Sequence, residues 1–183
     1  MIFILLPFVE MFYASLRPLD HLFRSPYQFY SDDLSFWAYR EMWNTVPMLP
    51  RYIFNSFFLA SVTSIITLLF VIPAAYSYAR FKFPFKNSSL YILLAINMFS
   101  GAVLLIPLYK VLRTFGLLNT YQAMIVPGVA FLIPTAIWLL KSYFEKIPID
   151  LEEAAFVDGA SRVQILRHII APLSTPGLVV VGI

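Results

Sequence analysis

Residues 147–172 read IPIDLEEAAFVDGASRVQILRHIIAP, and this polar stretch lies between two hydrophobic segments of the chain. Pro148 cannot continue a preceding helix but can open a new one. Acidic side chains then fill the first turn, where carboxylates favour the positive end of the helix dipole: Asp150, Glu152 and Glu153. The sequence therefore predicts a short helix that starts near Ile149.

Small residues follow the acidic turn and would allow another protein to approach closely. Ala154 and Ala155 are strong helix formers with almost no side chain, so a partner's surface can come near the backbone. Gly159 is expected to end the helix, because glycine adopts the left-handed cap conformation without a Cβ penalty.

A second short helix is predicted directly after this glycine. Residues 161–164 read SRVQ and fit the capping box, in which the serine side chain accepts from the amide three residues on and the glutamine reaches back. This helix is expected to run from Arg162 to about Ile170, and Pro172 is expected to close it. Two helices that meet at a glycine elbow form a compact knob, which suits docking in a cleft of a soluble subunit.

Composition places the chain among polytopic membrane proteins. Of its 183 residues, 60% are hydrophobic and 13% are charged, and the mean hydropathy is +0.78, which is unlike an ordinary soluble domain. Charge-free stretches longer than the ~20 residues needed to cross a bilayer predict spans at about residues 52–79, 88–109 and 120–141. Prolines within them would bend these helices, which fits both helices that rock around a path and ordinary packing.

Both ends of the chain are expected to hold incomplete spans. Residues 1–16 are predicted to be part of a first transmembrane helix, because the segment lacks the basic start and the cleavage site of a signal peptide. Residues 173–183 are predicted to begin a further span, and at about 1.5 Å per residue they cover about half of a ~30 Å core. We therefore expect a protein truncated at both ends that cannot transport on its own.

Several function classes are disfavoured by what the sequence lacks. The interiors of the three predicted full spans contain no Asp, Glu, Lys, Arg or His, which an ion-coupled carrier or proton pump usually shows there. Glu10 in the first span is expected to face water. Both histidines lie in predicted loops, and no HExxH, GxSxG or paired intramembrane aspartates occur. We therefore predict that the protein is not an enzyme and has no catalytic, cofactor or metal site. The basic residues form no stripe, so nucleic acid is not an expected partner.

The knob resembles a known motif. The order E-A-A, three residues, G, nine residues, I, one residue, A, P in residues 153–172 is similar to the EAA motif of permease subunits of ATP-binding-cassette (ABC) importers. Ala171 stands where that family usually has leucine. Further segments resemble the carbohydrate branch, specifically the maltose-permease-like second subunit: IPAAY at 72–76, ARFKFP at 79–84, FGLLNT at 115–120 and DGAS at 158–161. The resemblance covers roughly residues 50–183.

This resemblance implies an all-α polytopic transmembrane bundle with the type I importer permease (MetI-like) fold. It also implies four kinds of partner: a second permease subunit, a dimer of cytoplasmic ATP-binding subunits, an extracytoplasmic sugar-binding protein and membrane lipid. ATP would be bound by the partners, since no GxxxxGK[ST] loop occurs here. The residues implied in ATPase coupling are Glu152, Glu153, Ala154, Ala155, Asp158, Gly159, Ala160 and Pro172. Glu153 would pair with a basic group of the ATPase, and Gly159 would form the elbow.

Loop charge and the resemblance together orient the chain. Three cations lie within residues 80–86, and dense basic loops favour the cytoplasm. The resemblance places the coupling loop, residues 147–172, on the same side. Residues 17–51 then form an extracytoplasmic segment, with an interfacial helix at residues 31–43 whose aromatics anchor among lipid headgroups. Residues 52–183 form the permease core of a multi-pass protein in a bacterial or archaeal plasma membrane.

The function that we predict is that of a permease subunit in an ATP-driven, binding-protein-dependent sugar importer. It would couple closure of the ATPase to alternating access. An importer of a polyol, glycerol phosphate or another solute is the alternative within this class. A membrane scaffold without a transport role is the alternative from a different class.

Overall fold

The computed structural model describes residues 2–18, 34–99 and 101–182, and within these residues the chain is helical and forms no strand. The predicted all-α fold is therefore confirmed. The helices are α1 (Ile2–Ser15), α2 (Trp37–Thr45), α3 (Leu49–Arg80), α4 (Lys86–Ile96), α5 (Gly101–Thr114), α6 (Gln122–Glu145), α7 (Asp150–Val157), α8 (Arg162–Leu173) and α9 (Thr175–Gly182).

The chain forms two compact units, residues 1–55 and residues 56–183. In the first unit, Ser15 Oγ and Tyr39 Oη lie 2.7 Å apart and link α1 to α2. The Arg17 guanidinium lies 4.3 Å from the centre of the Tyr13 ring. Helix α2 overlaps the predicted interfacial helix, whose first three residues lie outside the described part of the chain. Exposed aromatic side chains on α2 suit the predicted headgroup anchoring, which stays a prediction.

Among the described residues, α3 and α6 are each long and apolar enough to cross a membrane. Two bent pairs would also qualify if each were one span: α4 with α5, bent by 92°, and α8 with α9, bent by 81°. Many large apolar side chains of α3 are exposed, among them Phe57, Ile65 and Leu69. Such a surface is costly in water and suits lipid contact.

The predicted continuous span at residues 88–109 is divided in the structure. Helix α4 ends at Ile96 and α5 begins at Gly101. The amides of Asn97 and Met98 bond to carbonyls three residues back, at 3.1 and 3.0 Å, which tightens the last turn and ends the helix. The Asn97 side chain donates to Thr135 Oγ1 of α6 at 2.9 Å. Hydropathy alone missed the break because the residues at the interruption carry no charge and include the apolar Met98 and Phe99.

Helix α8 continues past the end predicted for it. It begins as an α-helix at Arg162, widens to a π-helix over Leu166–Ile170 and returns to α-helix until Leu173. Pro172 does not close the helix as expected. It lies in the first two positions of the α-helical turn after the π-segment, a place where proline is tolerated. The chain bends at Ser174, and α9 follows.

The buried core of the second unit lies where α3, α6 and α8 meet. Side chains with no exposed area come from all three helices: Val71 and Ala75, Leu140 and Phe144, and Ile165 and Ile170. Helix α9 packs closely on α6, since a Cβ on Gly177 would come within 2.6 Å of Tyr143 Cγ. This core supports α7, the first helix of the predicted knob.

Candidate functional site

The first helix of the knob begins where the sequence predicts. Ile149 already has helical dihedral angles, and its carbonyl accepts from the amides of Glu152 and Glu153 at 2.9 and 3.0 Å. Helix α7 then runs over Asp150–Val157, with all three acidic side chains in its first turn. Helix α7 therefore starts where its acidic first turn predicts.

The elbow at Gly159 is formed as predicted. Gly159 has φ +82°, in the left-handed region. The amide of Gly159 bonds to the carbonyl of Phe156 at 3.0 Å, and the amide of Ala160 bonds to the carbonyl of Ala155 at 2.9 Å. These two bonds constitute a Schellman motif, which satisfies carbonyls at the end of α7. A Cβ at Gly159 would meet no atom within 4 Å, so the conformation and not crowding favours glycine.

The second helix opens with the predicted capping box. The Ser161 amide donates to Gln164 Oε1 at 2.7 Å, and the Gln164 amide donates to Ser161 Oγ at 3.4 Å. Both amides at this helix end therefore have protein acceptors. Arg162 stacks over two aromatic rings at this point, with its guanidinium carbon 4.8 Å from the Phe81 centroid and 5.5 Å from that of Phe156. These cation–π contacts join both knob helices to the segment after α3.

A buried polar network ties α7 to the end of α3, and sequence reasoning missed it. Glu152 is only 3% exposed. Its carboxylate accepts a hydrogen bond from Tyr76 Oη at 2.8 Å and pairs with Arg80 Nε. Arg80 Nη2 also donates to the carbonyl of Ile147 at 2.8 Å. The sequence did contain one indication of this network, which is Arg80. This cation lies at the end of a charge-free span, and a cation that is buried there needs an anionic partner.

The predicted coupling residues divide into two groups according to burial. Glu152 is buried, and Ala155 and Ala160 are partly covered. The others are exposed: Glu153, Ala154, Asp158, Gly159 and, on α8, Pro172. The outward side also carries two apolar residues that the sequence reasoning did not select, Val157 at 89% and Val163 at 73% exposure. Exposed apolar side chains beside charges are typical of a surface that binds protein. No group of His, Cys, Asp or Glu suited to a metal occurs within the described residues.

Comparison with known proteins relates most of the chain to transport components. The family described as binding-protein-dependent transport system inner membrane component matches residues 68–182. The sulfoquinovosyl glycerol transport system permease protein of Agrobacterium fabrum is 32% identical, over 98% of this chain and 62% of the relative. The trehalose/maltose transport system permease protein of Thermococcus litoralis is 36% identical, over 95% of this chain and 62% of the relative.

A third relative and a solved structure agree with these two. The trehalose transport system permease protein of Mycobacterium tuberculosis is 34% identical, over 98% of this chain and 64% of the relative. The solved structure is a crystal structure of a bacterial ABC transporter involved in import of the acidic polysaccharide alginate, with a TM-score of 0.74 and 27% identity. That match covers 99% of this chain and 64% of the other. The chain thus spans less than two thirds of the length of these relatives.

Proposed function

Because the chain belongs to the family of binding-protein-dependent transport system inner membrane components, we propose that it acts as the transmembrane permease subunit of an ATP-driven sugar importer. The family consists of transporter permeases and not of enzymes. The chain has the fold of a type I importer permease, and its apolar helices are those of a membrane-embedded protein.

The observation that carries the proposal is the knob formed by α7, Gly159 and the start of α8. It has a rigid end, because a Schellman motif and a capping box satisfy the backbone groups at the elbow. Its outward side exposes Glu153 and Ala154 together with Val157 and Val163. A preformed surface of small, apolar and acidic groups fits a partner cleft with a basic residue, and rigidity lowers the entropic cost of binding.

In the proposed complex, a dimer of cytoplasmic ATP-binding subunits receives the knob, and the chain pairs with a second permease subunit. An extracytoplasmic binding protein delivers the sugar to the other face of the membrane. Glu153 forms an ion pair with the ATPase, and Ala154 allows the two surfaces to approach closely. Closure of the ATPase moves the knob, and the packed helices convert that displacement into alternating access.

The substrate class that we propose is a sugar or glycoside. The names of three relatives refer to trehalose, maltose or a sulfoquinovosyl glycerol. A groove along α3 has hydroxyl groups in an otherwise apolar wall, contributed by Ser61, Thr63 and Ser64. Hydroxyl groups of this kind can exchange hydrogen bonds with a passing polyhydroxylated solute.

The test is reconstitution of the full-length protein in proteoliposomes, together with its partner permease, ATPase and binding protein. We expect uptake of at least one sugar from a panel that contains trehalose, maltose, a glycoside of glycerol, free polyols and glycerol phosphate. Uptake should require ATP and the binding protein. Uptake of a polyol or glycerol phosphate alone would correct the substrate class. An assembled complex that neither retains an ATPase nor imports any of these solutes would favour the scaffold alternative.

A further inference from the structure

Helix α7 packs on the core of the second unit through one buried carboxylate together with the partly buried Ala155. All eight residues of α7 are described, and Glu152 alone among them is buried. Leu151 and Phe156 are each more than two fifths exposed. The position of α7 therefore depends strongly on what holds the Glu152 side chain.

The groups that hold Glu152 come from the end of α3. Tyr76 and Arg80 each bind one carboxylate oxygen, and Arg80 also binds the carbonyl of Ile147, just before α7 begins. We name these three side chains, Tyr76, Arg80 and Glu152, the latch. The Tyr76 ring packs edge-on against Phe144, with centroids 6.5 Å apart. The latch is thus backed by the apolar core, where charged hydrogen bonds are strong and their loss is costly.

Helix α3 is suited to receive a displacement at this end. It is one continuous helix of 32 residues, with Pro73 inside it. Along the chain, the knob is joined to α6 through residues 146–149 and continues on its other side as α8, which contains a π-segment and meets α9 at a bend of 81°. A helix without a break transmits a push or a tilt more faithfully than one with a π-segment and a sharp bend.

We propose that the latch is the link through which movement of the knob displaces α3, and that Glu152 and Arg80 are positioning residues for coupling. This inference rests on the proposed function. Glu153, one residue further along, faces outward and serves docking. Glu152 faces inward and serves transmission, so the two neighbouring carboxylates have separable roles.

The experiment compares Glu152→Gln with Glu145→Gln in the reconstituted complex. The exposed carboxylate of Glu145 forms an ion pair with Lys141 at 2.7 Å within α6, so the control removes the same charge without touching the latch. ATPase co-purification, ATP hydrolysis and sugar uptake are measured together. We expect Glu152→Gln to retain the ATPase within about twofold of wild type and to lower uptake per ATP at least tenfold. Glu145→Gln should match wild type, and Tyr76→Phe should lower the ratio by two- to threefold.

A distance measurement separates loss of transmission from general damage. The chain has no cysteine, so spin labels can be placed at two introduced cysteines at exposed positions, Leu151→Cys on α7 and Leu69→Cys on α3. Their distance should stay constant during ATP-driven closure in wild type and should change or broaden in Glu152→Gln. If Glu152→Gln does not assemble, a double variant that exchanges the two charges, Arg80→Glu with Glu152→Arg, replaces it. The double variant should assemble, and its uptake per ATP should be at least threefold higher than that of Arg80→Glu alone.

The outcomes distinguish the two proposals. A wild-type complex that shows no ATP-dependent uptake would count against the proposed function. A working wild type in which Glu152→Gln couples as well as Glu145→Gln, or in which the label distance is unchanged by Glu152→Gln, would overturn the latch. The latch would also be overturned if the exchanged pair gives no higher uptake per ATP than Arg80→Glu alone.

Discussion

Replacement of Gly159 by valine tests whether the elbow is required for coupling. At φ +82° the left-handed conformation costs an L-residue about 1–2 kcal/mol, and a β-branched side chain is the least suited to it. No atom lies within 4 Å of a Cβ built at Gly159, so steric overlap adds nothing to this cost. The strain therefore acts on the backbone of the elbow and on the two hydrogen bonds that close α7.

An energy of 1–2 kcal/mol corresponds to a factor of about 5–30 in an equilibrium. If the ATPase binds the knob only with the elbow formed, Gly159→Val should weaken ATPase binding by up to about 30-fold. Gly159→Asn should retain most of the binding, because asparagine tolerates the left-handed region. Binding is measured by titrating purified ATPase onto the permease complex in nanodiscs, and uptake is measured in proteoliposomes.

Gly116 provides a matched control. It also has a positive φ, +66°, and also has no atom within 4 Å of a built Cβ, but it follows α5 and lies outside the knob. Gly116→Val should therefore lower thermal stability by a similar amount and leave ATPase binding unchanged. Equal ATPase affinity for Gly159→Val, Gly116→Val and wild type would refute the role of the elbow in docking.

Three further predictions concern single sites. Glu153→Lys should release the ATPase from membranes far more than Glu153→Gln, because reversal replaces attraction by repulsion; equal retention would leave Glu153 as a solvated charge only. Gly177→Ala should lower stability by about 1–3 kcal/mol through overlap with the Tyr143 ring, whereas Gly101→Ala, with no neighbour within 4 Å, should not; similar melting temperatures would contradict this. Ser161→Ala should cost ~1 kcal/mol by removing the cap, seen as faster amide exchange at the start of α8, and unchanged exchange would argue against it.

Local features of the knob could be predicted from the sequence because each depends on residues only a few positions apart. The acidic first turn, the glycine in the left-handed region and the capping box at Ser161 involve backbone groups within one or two turns. Their energies arise from hydrogen bonds and dihedral angles that neighbouring residues determine. For this reason the two helices and their elbow occur where the pattern indicates.

Features that depend on packing between helices could not be predicted in the same way. The break before Gly101 involves a side-chain hydrogen bond from Asn97 to Thr135 of another helix, which hydropathy does not contain. Whether the helix ends at Pro172 depends on a π-segment that begins six residues earlier. A proline is expected to end a regular helix, but it is accepted at the start of a new turn once the hydrogen-bond register has changed.

The adjacent acidic residues Glu152 and Glu153 show why position in sequence did not distinguish their roles. Both favour the positive end of the dipole of α7, and successive residues of a helix point about 100° apart. When one of these two side chains points into the core, the other points away from its centre. The position of α3 determines which of the two is buried. Arg80 and Tyr76 bind Glu152, so the outward position belongs to Glu153. We therefore predict that binding of a partner and transmission of its movement can be altered independently at these two consecutive residues, since one carboxylate is buried and the other is exposed.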